Sequence, residues 1–199
     1  KKENSEWIGF CQKRRFWIQS GIDLNSLSKS NYLSYLITKP EADWVNYESI
    51  ICKPINVSGV KKIKLLKRGL KNILKNPKIL IDKNLQTISL HFDMHHGYKN
   101  LNKAINLMDI KDREDFRNYV NKETKFNPHI MFISSPKIAN KWFESLFDWL
   151  FKCESYFEFK KLKGYDQKRI FAYFGERYLS FWFKKYTKYK EQQWVFIDN

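Results

Sequence analysis

Apolar residues recur along the chain with two different periods, and the changes of period divide it into strands and helices. Trp7-Ile-Gly-Phe-Cys11 is a short apolar run that reads as a buried strand, followed directly by Gln12-Lys13-Arg14-Arg15. Residues 20–43 read as loop and helix with Ser-Gly and Lys-Pro punctuation, and 48–52 as a second strand stopped by Pro54. From 60 to 75, Val60, Ile63, Leu66, Leu70, Ile73 and Leu74 fall at helical spacing, with Lys61, Lys62, Lys64, Lys67, Arg68, Lys71 and Lys75 around them. This predicts an amphipathic helix, weakened by about 1 kcal/mol at Gly69 and ended by Pro77.

At 87–95 the pattern alternates: Ile88, Leu90, Phe92 and Met94 one way, Thr87, Ser89, His91, Asp93 and His95 the other. That predicts a strand. A helix near 100–108 and a strand at 129–134 follow. Two helices with wide aromatic stripes are predicted at 137–153 and 166–185, then a final strand at 193–197. Strands alternating with helices argue for an α/β fold in one domain; the pattern does not fix strand order.

Composition narrows the classes. Apolar residues make up 43% of the 199 residues and aromatics 17%, which excludes a disordered chain. No apolar run is long enough for a membrane-spanning helix, and the polar first residues do not resemble a signal peptide. Cys11, Cys52 and Cys153 are too few and too far apart for a disulfide framework or a zinc site. Each is expected to be a small buried hydrophobe in a reducing cytoplasm. The net charge of +16 calls for a polyanionic neighbour: nucleic acid, an anionic membrane or a nucleotide diphosphate. No nucleic-acid-binding signature is present and most aromatics fall on core stripes, so nucleic acid is not expected. The helix at 60–76 has the pattern of one lying on an anionic membrane surface; the competing reading packs its apolar face on the core.

Five segments, in order and spanning most of the chain, resemble a bacterial family catalogued as domain of unknown function 4422. Trp7-Ile-Gly-Phe-Cys-Gln-Lys-Arg-Arg-Phe16 is similar to its Y-I-G-L-x-H-Y-R-R-Y-F, and His96-Gly-Tyr-Lys-Asn-Leu101 to its H-Y-x-E-D-L. Phe126-Asn-Pro-His-Ile-Met-Phe-Ile133 resembles F-N-M-F-I with three extra residues. Residues 141–154 and 165–179 resemble its Y-C-x-W-L-F-x-I-L-F-x-L-E and its Y-x-x-x-Q-x-R-V-F-G-F-x-x-E-R-L-L. The chain departs from the pattern at Gln12, Lys13 and Asn100, where the family has His, Tyr and Asp.

The resemblance implies a GT-A-like mixed sheet flanked by helices over residues 1–199. It implies a glycosyltransferase moving a sugar from a nucleotide-diphosphate donor to a growing surface polysaccharide or lipid-linked glycan, galactofuranosyl transfer being one such activity. The cysteine usage and the basic helix at 60–76 together predict a cytoplasmic protein, peripheral at the inner face of the membrane. The family carries a strand–helix–strand portion before its first motif. Only six residues precede that motif here, without an initiating Met, so the chain is expected to be the C-terminal part of a longer domain.

Such a reaction needs cations for the departing diphosphate and, if inverting, a base for the acceptor hydroxyl. Arg14 and Arg15, at the end of the first strand, supply forked cations; a solvated basic turn is the alternative. The resemblance adds Gln12, His96, Asn127, Gln167 and Arg177 as substrate-binding residues. Asp166, at a helix start, is either an N-cap or the catalytic base. Glu176 belongs either to the catalytic machinery or to a buried salt-bridge network; Arg177, about 100° further round the helix, is not an automatic partner. No Asp-x-Asp is present. His91, Asp93 and His95 on one strand face are either a structural cluster or ligands for a divalent metal such as manganese.

Overall fold

The computed structural model describes residues 6–158, 164 and 168–198. At its centre is a four-stranded mixed sheet built from β1 (Ile8–Phe10), β3 (Ser49–Cys52), β6 (Phe132–Ser134) and β7 (Tyr189–Gln192). The spatial order is β1-β6-β3-β7; β6 runs antiparallel to β1 and β3, and β7 lies parallel to β3. Two further ribbons pair antiparallel: β2 (Arg15–Trp17) with β8 (Trp194–Phe196), and β4 (Ile55–Asn56) with β5 (Lys125–Phe126). The helices are α1 (Lys62–Arg68), α2 (Leu70–Lys75), α3 (Ile88–His96), α4 (Asn100–Asn106), α5 (Ile110–Lys122), α6 (Pro136–Phe157) and α7 (Ile170–Tyr186).

The two-residue period of the strands sorts their side chains onto two cores. Ile51 and Phe132 enter the larger core with Phe116, Trp142, Trp149, Phe174 and Tyr178 from α5, α6 and α7. Ile50, Cys52, Met131 and Ile133 point the opposite way and meet Trp17 and Trp44 beneath the β2–β8 ribbon. Gly9 has no side chain on that second face, where a Cβ would press to 3.3 Å from Ile133. α6 begins as its sequence dictates: Ser135 caps it by accepting from the Ile138 N–H, and Pro136 occupies its first turn. A third, smaller core joins Leu65 and Ile73 of α1 and α2 to Leu90 and Met94 of α3.

The α/β fold with a mixed sheet is as expected, and the structure corrects three elements. The helix over 60–75 is broken at Gly69, where α1 ends and α2 starts. The strand expected at 129–134 narrows to 132–134, because His129 is in the left-handed region at φ 68°. Residues 87–95 form a helix, not a strand. Thr87 caps α3 by accepting from the Leu90 N–H. Ile88 and Phe92, one turn apart, enter the large core, while Leu90 and Met94, also one turn apart, enter the small one. Two such stripes offset by two residues lie on opposite sides of a helix, so a helix wedged between two cores reads as alternation. Cys52 and Cys153 are buried, but Cys11 is exposed. No helix among the described residues is long and apolar enough to cross a membrane.

Candidate functional site

α7 positions a buried ion pair. Gly175 lets it approach the segment before β6, since a Cβ there would come within 3.0 Å of Ile130. The next residue, Glu176, thereby meets His129: its Oε1 lies 3.5 Å from His129 Nδ1, with both side chains mostly buried. Its other oxygen accepts from Arg177 Nη1 at 2.8 Å. The 100° between the two positions does not prevent pairing, because both side chains are long and confined in the same interior. Arg177 is only 2% exposed. Its guanidinium lies 4.0 Å over the Phe126 ring and points Nη2 at His91 Nδ1, 3.4 Å away.

On the outer side of His129, Arg15 Nε donates to Nε2 at 3.0 Å. A guanidinium can only donate, so Nε2 accepts and the neutral ring carries its proton on Nδ1, facing Glu176. The result is a continuous polar chain, Arg15–His129–Glu176–Arg177–His91, joining β2, the segment before β6, α7 and α3. Trp194 closes on the His129 ring edge-on at 4.6 Å. Burial alone would raise the Glu176 carboxyl, but the His129 hydrogen bond and the Arg177 charge hold it below the usual carboxylate range.

The histidines of α3 border this chain. Burial, then the charge of Arg177, pushes His91 down to about 3, and the same two causes push His96 to about 3. His95 is lowered chiefly by burial. All three are neutral imidazoles near pH 7. His96 stacks on Tyr173 at 3.7 Å, and its Nδ1 is buried without a hydrogen-bond partner among the described residues.

Several candidates fall elsewhere. The His91 and His95 rings meet at a tilt one turn apart, 4.4 Å between centres, but Asp93 points away and accepts from Asn72 Nδ2 and the Lys99 N–H, both at 2.8 Å. The three therefore do not converge as a ligand set, and no group of three His, Cys, Asp or Glu among the described residues could hold a metal ion. Arg14 takes no part in the polar chain: it occupies the turn at φ 64° and pairs with Asp198, both well exposed. Gln12 is half-buried in that turn, where its carbonyl accepts from the Arg15 N–H at 3.0 Å.

Asn127 is fully buried. Its Nδ2 donates to the Cys52 carbonyl at 2.6 Å and to Glu191 at 3.0 Å, and its Oδ1 accepts from Ser180 at 2.6 Å. Every polar atom of that side chain is used within the protein, so it ties β3, β7 and α7 together instead of reaching outward. Asp166 and Gln167 lie outside the described residues. His129 and Tyr173 were not among the sequence candidates, although both stand within segments of the family resemblance. An open depression of about 720 Å³ between the start of α6 and the end of α7, lined by Lys137, Lys141, Ser145, Trp182 and Tyr186 among others, contains none of the candidate residues.

The chain belongs to the family described as Domain of unknown function (DUF4422), whose model matches residues 1–188. Its fold is similar to that of the apo structure of WbbM, a bifunctional glycosyltransferase, with a TM-score of 0.65 at 14% identity. The likeness covers 97% of this chain and 34% of that one, so the chain spans about a third of its length. No curated protein matches it.

Proposed function

We propose that the chain is a catalytic domain of a GT-A-type glycosyltransferase, moving a sugar from a nucleotide-diphosphate donor to a hydroxyl of a surface-polysaccharide or lipid-linked acceptor. One observation carries the reading. Arg15, His96, Phe126 with His129, and Tyr173 with Glu176 and Arg177 come from four separate segments of the family resemblance, and they meet in one place. The fold likeness to a glycosyltransferase supports the same reading.

In the transfer, the bond from the sugar's anomeric carbon to the diphosphate breaks and the acceptor oxygen bonds to that carbon. The diphosphate departs with the bonding electrons and needs cations. In this reading Arg15 supplies the cation, with Arg14 close by: both guanidinium groups lie within 5.4 Å of the centre of the Phe196 ring. When Arg15 turns to the diphosphate, His129 Nε2 loses its donor and can take the acceptor proton. Glu176 then stabilises the imidazolium through Nδ1, as an orienting carboxylate does for a catalytic histidine. Asp166 remains the second candidate base. A panel of nucleotide sugars with glycan acceptors tests this, with release of nucleoside diphosphate as the readout and a galactofuranosyl donor the first to try. Release from one donor, cut at least a hundredfold in His129→Gln with the melting temperature retained, is expected. Release that His129→Gln leaves unchanged counts against the assignment of the base.

A further inference from the structure

The segment between β4 and α3 leaves large aliphatic side chains uncovered on a strongly cationic ridge. Ile63 is 70% exposed, Leu66 48%, Leu70 51%, Leu74 75% and Ile81 86%. Ile63 and Leu66 lie one turn apart on α1, as do Leu70 and Leu74 on α2. The segment is fixed to the domain through other residues, Leu65, Ile73 and Ile79, which pack on Leu90 and Met94 of α3. The exposed residues are therefore surplus to the fold. Around them, nine lysine and arginine side chains between 61 and 83 are all exposed, and Asp82 is the one acid in that span. Among the described residues, none of the nine forms an ion pair with a carboxylate.

We infer that this ridge is a docking surface for an anionic lipid bilayer, with the aliphatic side chains in the acyl boundary and the cations at the headgroups. Charge complementarity selects an anionic partner. The aliphatic side chains select a bilayer over nucleic acid, because Ile and Leu offer no ring on which a base could stack, whereas the pairing of aliphatic and lysine side chains is that of an interfacial helix. Lysine stems can lie along the apolar surface while their ammonium groups reach outward. The position of the ridge adds to the case. α3 packs on α1 and α2 through Leu90 and Met94, and its His91 and His95 feel the charge of Lys64. A membrane on the ridge would therefore lie beside the candidate site. The inference does not depend on the glycosyltransferase reading.

The test is co-sedimentation of the full 199-residue chain with vesicles of phosphatidylcholine alone or with phosphatidylglycerol added. Two variants separate the contributions, with circular dichroism confirming the fold of each. Lys61, Lys64, Lys67 and Lys71→Gln removes charge; Ile63, Leu66, Leu70 and Leu74→Ser removes apolar surface at constant charge. Binding to the anionic vesicles only is expected, falling with added salt and weakened at least tenfold in each variant. Equal binding to both vesicle types overturns the inference. So does wild-type binding by the Ser variant, which would reduce the effect to the general attraction of a basic protein.

Discussion

Arg15 Nε donates to His129 Nε2 at 3.0 Å, so the two residues hold each other in one defined state. Arg15 Nε occupies the imidazole Nε2, and the other ring nitrogen faces Glu176. A single movement, Arg15 turning to an anion, would both engage the ligand and free the imidazole nitrogen.

The buried pair of α7 leads to a difference between two variants. Glu176→Gln leaves the Arg177 guanidinium buried without a counter-charge, which costs about 3–5 kcal/mol. Arg177→Met leaves a carboxylate that is 17% exposed and still meets His129, so its loss is smaller. Urea denaturation of both should place Glu176→Gln as the less stable; the reverse order would mean that Glu176 is not the principal partner of Arg177.

The α3 histidines predict a pH dependence. His91 and His96 are pushed from 6.5 to about 3 in the folded protein, so the unfolded chain binds more protons between those values. The stability they contribute is complete above pH 6.5 and is lost as pH falls toward 3. Each adds up to about 1.36 kcal/mol per pH unit. Melting temperature should decline from pH 6.5 to 5, above the range where most carboxylates titrate, and His91→Gln should flatten the decline. A profile unchanged in that variant would show that His91 is not held neutral.

Asn127 is expected to act on structure alone. Asn127→Ala takes the Nδ2 donor from the buried Cys52 carbonyl, at about 1–3 kcal/mol, and removes one partner of Ser180, which keeps the Tyr119 hydroxyl and the backbone N–H of residue 127. Stability should fall while diphosphate affinity, measured well below the melting point, stays within about twofold of wild type. A selective loss of affinity would return Asn127 to the ligand.

β1 and β3 were legible because they are short apolar runs closed by Pro or cations: 7–11 and 48–52 lie within a residue of them. The two aromatic helices were legible because each has one broad stripe. α3 was not, because its two one-turn stripes face opposite cores and together imitate the period of a strand. β7 escaped notice because Tyr189-Lys-Glu-Gln192 carries its polar side chains into ion pairs and buried hydrogen bonds: Lys190 to Glu41 and Asp43, and Gln192 to the Ile18 carbonyl. Of the candidate site, Arg15, Glu176 and Arg177 were marked by the family segments. His129 was hidden because 129–134 reads as regular strand, while Pro128 and the left-handed backbone at 129 turn its side chain toward α7. The three residues by which this segment exceeds the family pattern were the available signal.

The most direct test of the central claim, that Arg15 leaves His129 to bind the diphosphate, is a thermal-shift titration with nucleoside diphosphates. At a hundred times Kd a native-state ligand adds about 2.7 kcal/mol, a rise of roughly 5–10 °C for a domain of this size. The account predicts such a rise for at least one nucleoside diphosphate with the wild-type chain, and its loss in Arg15→Gln. No rise with any of them, or the same rise in Arg15→Gln, would contradict it.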